Sequence, residues 1–295
     1  MELRVLQYYL AVTREQNISA AAEALHLSQP TLSRQLKELE DEFGKKLFER
    51  GNRKITLTQE GMLLRKRAEE IIELVKKTES EISLSDDSIA GDITIGTGES
   101  DAFRKILKVA KNVQDEYPQI HFHIASGDNK DINEQLERGL IDFGVLFGQI
   151  DKTKYEFIHI PIPEKWGVLM RQDSPLATKE YVTPEDLMDK PLITSRSMYQ
   201  NNFFVDWFQC KQEELNIVAS YSLLFNGSLM VSEGMGYALC FDKIINVSGD
   251  SNLCFRPLKP TVDISMNVVW KKYQIMTQAS TRFLQALQSN HFSAL

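Results

Sequence analysis

The sequence predicts an α/β chain in three parts. These are a mainly α N-terminal winged helix-turn-helix domain, a long linker helix, and a two-lobed α/β domain. Three observations predict it. Two short amphipathic patterns, "NISAAAEAL" and "LSQPTLSRQLKELE", stand close together near the N-terminus. An apolar repeat at spacings of three and four follows them. From Gly91 onward, short apolar runs alternate with helical patterns up to the last turn of the chain.

Leu3, Leu6, Leu10 and Val12, with Tyr9, fit a first helix that closes a small core from behind. Ile18, Ala21, Ala22 and Leu25 make a second helix whose small residues allow close packing, with Asn17 or Ser19 as its cap. The third helix opens at Ser28, whose hydroxyl can accept from a free backbone N–H of the first turn. Pro30 then falls in that turn, where its missing N–H does no harm. Leu32, Leu36, Leu39 and Phe43 form one apolar stripe, and at about 100° per residue Pro30, Ser33, Arg34, Lys37 and Asp41 gather opposite it. On most helices such a face is only solvated. Here the Ala-rich contact and the tight joint "HLSQ" read as a helix-turn-helix, whose second helix meets base edges with its N-terminal residues. Pro30, Ser33 and Arg34 share the base-reading face, and Gln29, Thr31 and Lys37 join them as DNA-binding candidates. Downstream, "FERGNRKITLTQEG" reads as a small hairpin wing with Arg50, Arg53 and Lys54 around its Gly-Asn turn. Arg53 suits an A·T-rich minor groove, and Arg50 and Lys54 suit phosphates. A fold-stabilising ion pair is an equal alternative for Arg50.

With these pieces in their order and spacing, residues 1–61 resemble the N-terminal domain of LysR-type transcriptional regulators. "SAAAEAL", "LSQPTLSRQLKELE", "FGKKLFER" and "ITLTQEG" carry the resemblance. Tyr9, where the family usually has Phe, and "QNIS", where a Gly-Ser pair is commoner, depart from it away from the DNA-reading residues.

The next segment spaces Leu64, Ala68, Ile71, Val75, Thr78 and Ile82 as a heptad seam, with charges on both flanks. Packing on the chain's own effector domain is the plainer alternative. The flanking charges favour a two-helix seam, and the resemblance implies the same homodimer. Some 30 residues at 1.5 Å each span about 45 Å. The three parts divide as residues 1–58, 59–90 and 91–295.

The chain has 295 residues, with 42% hydrophobic and 25% charged, ordinary values for a globular protein. It shows no apolar run of membrane-spanning length and no signal-peptide pattern, so a cytoplasmic protein with no membrane partner is expected. The net charge of −7 is unusual for a DNA binder. Split by part, residues 1–58 hold nine Lys/Arg against eight Asp/Glu, 59–90 five against eight, and 91–295 twenty against twenty-five. The acid therefore lies mainly away from the reading helix, and affinity should come from a focused patch doubled by dimerisation. Cys210, Cys240 and Cys254 lack metal spacing and read as structural thiols; a redox role for Cys240 and Cys254 is the minority alternative.

In the last part, "GDITIGTG", "IHFHIAS" and "IDFGVLFG" read as strands of a parallel sheet, separated by helices. A second set follows Pro161 and Pro163, and "DISMNVVWKK" returns as a strand before a closing helix. Two crossings, near Pro161 and near Val262–Ser265, make two lobes (91–161 with 266–295, and 162–265) around a hinged cleft. This resembles the LysR effector-binding domain, with its periplasmic-binding-protein-like fold. "EGMGYALCFDKI" shares in the resemblance but departs at Phe241, where a proline is usual.

Ligands of open sheets lie beyond the carboxyl ends of strands, where helix N-termini point. The candidates there are Thr97, Glu99, Ser100, Ser126, Gly127, Phe147, Ser195, Arg196, Asn226 and Gly227. Hydroxyls, backbone N–H groups and Arg196 suit an anion. Glu99 argues the other way if it points inward, favouring a neutral ligand or one that carries an amine. If it points outward, it serves only the next helix.

No GxSxG, P-loop, credible GxGxxG or zinc spacing is present, so no enzyme, metal or cofactor is expected. A solute-binding protein would explain residues 91–295 but not the helix-turn-helix. A constitutive DNA-bound repressor with a vestigial cleft is the other alternative. The expectation is a regulator that binds double-stranded DNA at an inverted repeat and answers to a small polar metabolite. The resemblance further implies a tetramer as the family's typical assembly, and RNA polymerase as a partner if the protein activates.

Overall fold

Ser28 and Asn17 cap their helices as their residue types dictate. In the computed structural model, which describes residues 1–50, 54–83, 89–161, 164–262 and 264–290, Ser28 Oγ accepts from Thr31 N and Asn17 Oδ1 from Ser19 N and Ala20 N. The chain divides by its contacts into two units, Met1–Leu84 and Ser85–Leu295. No helix among the described residues is long and apolar enough to cross a membrane.

In the first unit, α1 (Leu3–Glu15), α2 (Ile18–Ala24) and α3 (Gln29–Phe43) are followed by a hairpin, β1 (Phe48–Arg50) and β2 (Ile55–Leu57), and by α4 (Gln59–Ser83). Leu6, Tyr9, Val12, Ala21, Leu32, Leu36 and Leu39 are buried in one core. Phe43, expected on the apolar stripe, is 43% exposed: the helix ends at Gly44 (φ +61), and the stripe has passed beyond the core by then. His26 turns the joint between α2 and α3 in a left-handed conformation (φ +54). Gly61 lets α4 meet the hairpin, because a Cβ there would lie 2.2 Å from Leu47 O. Tyr9 Oη locks the contact by donating to Gly61 O at 2.7 Å.

The second unit contains two five-stranded sheets. The first runs β4 (Ile120–Ser126), β3 (Gly91–Thr97), β5 (Phe143–Phe147), β12 (Met266–Lys271), β6 (Tyr155–Ile160). It carries α5 (Phe103–Glu116), α6 (Asn129–Glu137) and α11 (Gln278–Ser289). The second runs β11 (Leu253–Pro257), β7 (Trp166–Arg171), β10 (Tyr237–Phe241), β8 (Leu192–Ser195), β9 (Ile217–Tyr221). Its helices are α7 (Pro184–Leu187), α8 (Arg196–Gln200), α9 (Val205–Phe208) and α10 (Leu224–Ser232).

The sheets are mixed rather than parallel. β12 is antiparallel to β5 and β6, and β7 is antiparallel to β10 and β11. β7 and β12 are the strands on which the chain enters a lobe from the other one. They start at the hinge, where β3, β5, β8 and β10 end, so they must run the opposite way. Strands β6 and β11, which the sequence pattern did not single out, deliver the chain to the two crossings.

Candidate functional site

At the start of α3, Gln29, Pro30, Arg34 and Lys37 are exposed, and Thr31 and Ser33 half-exposed. Thr31 is partly committed, its Oγ1 lying 2.7 Å from Ser28 Oγ. Arg34 has a side chain 70% exposed and only a 3.8 Å ion pair with Glu38, a tie weak enough for a DNA base or phosphate to displace. Glu40, passed over in the sequence, points from the far end of the same helix toward the wing. Its Oε1 accepts from Leu47 N (2.7 Å) and Phe48 N (3.2 Å), which fixes β1 against the reading helix. In the wing, the Arg50 backbone pairs with Ile55, and Lys54 is exposed. Arg53 lies outside the described residues.

The second site lies between the two lobes. A cavity of about 70 Å³ is walled from the first lobe by Gly98, Glu99, Gly127 and Phe147, and from the second by Trp166, Ser195, Tyr221 and Phe241. Four of the ten expected cleft residues thus line it: Glu99, Gly127, Phe147 and Ser195.

Glu99 points inward. Its Oε2 accepts from the backbone N–H of Leu224, the first residue of α10 in the opposite lobe. Arg196 also crosses the cleft, but toward protein groups. Its Nε donates to Asp128 Oδ2 at 2.8 Å and its Nη2 to Asp131 Oδ2 at 2.7 Å. Burial alone would raise the Asp128 pKa. The backbone N–H groups of Asp131 and Lys130, with the guanidinium, outweigh that and hold its carboxyl below the usual range. The charge that seemed free for an anion is therefore spent on the latch, and the helix N-terminus beside it already holds a carboxylate.

The remaining expectations for the cleft are corrected on geometry. Ser100 faces the hinge, not the cavity, and donates to Glu164, which also accepts from Ala102 N at 3.1 Å. Burial raises the Glu164 pKa despite those bonds. Thr97 is buried and donates to Gly98 O. Ser126 and Asn226 are exposed at their element ends, away from the cavity wall. Gly227 is a packing glycine, since a Cβ there would meet the Tyr221 ring at 2.8 Å. Sequence reading missed Asp128 and Asn129, the cap and first residue of α6. It also missed the aromatic wall, because a Trp or Phe in a buried strand gives no sign of which face it serves.

Comparison with known proteins places both sites in a family. Residues 3–62 match the family described as bacterial regulatory helix-turn-helix protein, lysR family, and residues 86–291 match the LysR substrate binding domain. The chain belongs to the LysR family of transcriptional regulators. It is 36% identical over 158 residues to the HTH-type transcriptional regulator BsdA of Bacillus subtilis (strain 168), a match covering 53% of this chain and 54% of that one. It is 27% identical over 294 residues to the Hca operon transcriptional activator HcaR of Escherichia coli (strain K12), covering 98% and 97%. The chain spans little more than half the length of BsdA, whereas it spans nearly all of HcaR. The fold agrees with that of CbnR, a LysR family transcriptional regulator, over 98% of both chains with a TM-score of 0.76 at 18% identity.

The relatives that the chain matches carry the names of transcriptional regulators and not of enzymes. Among the described residues no cluster of His, Cys, Asp or Glu could hold a metal ion. Cys240 and Cys254 sit on β10 and β11, which flank β7 without touching, so they stand about two strand spacings apart, beyond disulfide reach. Burial also pushes both thiols up, against thiolate chemistry.

The expected seam of α4 is divided. Ala68 is fully buried in the first unit's own core, and Leu64 and Ile71 pack against that core. Val75 is half-buried and Thr78 exposed, and Ile82 is 79% exposed. Leu63 and Leu74, eleven residues apart on one side of the helix, are exposed as well. What α4 leaves open to a partner is therefore Thr78 and Ile82 from the C-terminal end of the expected seam, with Leu63 and Leu74 beside it.

Proposed function

We propose that this LysR-family regulator binds double-stranded DNA as a homodimer and changes its DNA binding when a small molecule enters the cleft of its second unit. Gln29, Pro30, Thr31, Ser33, Arg34 and Lys37 read the major groove, and Arg50, Arg53 and Lys54 hold the flanking backbone and minor groove. Two such domains, joined through the exposed stripe of α4, read an inverted repeat with half-sites about one helical turn or a multiple apart. A protein acting on DNA in this way works in the cytoplasm.

The observation that carries the effector reading is the pair of contacts across the cleft, Glu99 to Leu224 N and Arg196 to Asp128 and Asp131. They hold one arrangement of the lobes, and a ligand shifts the balance only by meeting that arrangement and an open one with different affinity. Footprinting beside the protein's own gene, with and without metabolite pools, tests this. A footprint that responds to the pools supports it.

The smallness of the cavity favours a second reading, a constitutive DNA-bound repressor whose cleft is latched shut by its own side chains. A footprint that no pool alters would decide for that reading.

A further inference from the structure

The cavity between the lobes carries a specific chemistry. Glu99 presents its carboxylate to it, and among the described residues no Lys or Arg pairs with that carboxylate; its recorded partner is the Leu224 N–H. The walls beside it are aromatic. Phe147 of one lobe meets Phe241 of the other with ring centroids 5.2 Å apart, and Phe241 meets Trp166 at 4.3 Å. A carboxylate beside aromatic walls suits a cation, because a ring's face attracts positive charge and repels negative. It also disfavours a carboxylate ligand, whose charge would face Glu99 with no partner of its own.

We infer that the effector is an organic ammonium compound whose charged nitrogen donates to Glu99 beside the Phe147, Trp166 and Phe241 rings. At about 70 Å³ the closed cavity has room for about two water molecules, enough for an aminomethyl end. A longer amine enters by opening the lobes, which breaks the Arg196 contacts to Asp128 and Asp131. The amine would then be the ligand that discriminates between the two arrangements.

This inference rests on the effector reading above. The test uses the full chain and probes of matched shape: 2-aminoethanol, propylammonium, propan-1-ol and propionate, then benzylammonium, benzyl alcohol and benzoate. Binding is followed by thermal shift and tryptophan fluorescence. The ammonium probes should bind at least tenfold tighter than the alcohols and far tighter than the acids. Glu99→Gln keeps the shape and an acceptor for Leu224 N, and should weaken the ammonium probes at least tenfold while leaving the alcohols unchanged. Glu185→Gln, on the exposed surface, should change nothing. Tighter binding of propionate or benzoate, or ammonium binding indifferent to Glu99→Gln, would overturn the ammonium class and leave an effector site standing. Binding of no probe would overturn both.

Discussion

Arg196→Met removes the guanidinium fork from the latch and keeps the aliphatic stem. The two arms of the latch are unequal. The Asp128 side chain is 5% exposed, whereas those of Asp131 and Arg196 are 43% and 39% exposed. A hydrogen bond to a buried charge contributes about 1.5–3 kcal/mol, and a half-exposed ion pair about 0–1 kcal/mol. Asp128 is not orphaned by the change, because Lys130 N and Asp131 N still donate to it at 3.0 Å. The lower end of the range therefore applies, about 2 kcal/mol for the whole latch. At about 2–4 °C per kcal/mol for a unit of this size, the second unit should melt about 4–8 °C lower. Asp131→Asn should cost about 2 °C or less, since it touches only the solvent-screened arm.

The pH dependence checks the sign. The Asp128 pKa is depressed in the folded state, so its contribution is present above the unfolded value of about 3.9 and is lost as pH falls through the folded value. Calorimetry of wild type and Arg196→Met from pH 7 down to 3 should show the gap closing below about pH 4. A variant that melts within 1 °C of wild type at pH 7 would refute the latch. A gap that persists undiminished at pH 3 would refute its electrostatic origin.

Arg34→Ala should weaken the specific DNA site by about 1–3 kcal/mol and relax one base position, as read by competition binding against random duplex. Equal losses on both duplexes would make Arg34 a phosphate contact only. Leu74→Glu with Ile82→Glu should give monomers in light scattering without unfolding the first unit, because both side chains are exposed; a wild-type mass would reject the α4 seam. Gly61→Ala should destabilise the first unit by about 1–3 kcal/mol, because the new methyl meets Leu47 O, a backbone atom that cannot swing aside. An unchanged melting curve would show that α4 and the hairpin move apart at little cost. Glu164→Gln should stabilise the second unit at pH 7 and leave acid stability little changed. A carboxyl whose folded pKa is raised loses stability as pH rises through that pKa, and the amide keeps acceptors for Ser100 and Ala102 N. Lower stability of the variant at pH 7 would mean that the charge itself holds the hinge.

The parts legible in the sequence were those whose physics is local. Ser28, Pro30 and the leucines of α3 carry cap, first turn and buried stripe within a few residues of one another, and the helix follows the pattern until its last turn. The wing was legible for the same reason. In the cleft, residue types indicated that the ends of β3, β5 and β8 matter, and Glu99, Phe147 and Ser195 do face the cavity. Which of the ten would be free for a ligand could not be read. Arg196 is taken by Asp128 and Asp131, more than sixty residues away in sequence, and Ser100 by Glu164 across the hinge. The expected α4 seam is divided for a related reason. Leu64, Ala68 and Ile71 repeat as a coiled-coil seam does, but the small core behind α1 needed a wall and took that face first.

Helix α10 shows the limit most clearly. The cap-type residues around it are Ser222, Asn226 and Ser228, and none of them takes the cap position. It starts at Leu224 instead, with Leu223 in the cap position and no local side chain to accept from its first N–H groups. A helix begun on leucines leaves donors unsatisfied, which is costly in a half-buried cleft. The acceptor comes from Glu99, 125 residues earlier and in the other lobe. The cap is therefore complete only while the lobes are together. When they part, the Leu224 N–H and the Glu99 carboxylate are both released into the cleft, along with the Arg196 fork. A ligand amine that meets Glu99 in that open state takes the place of the Leu224 N–H. The missing local cap and the ligand chemistry proposed for the cleft are thus two consequences of one placement: a carboxylate at the end of β3, facing a helix that has no cap of its own.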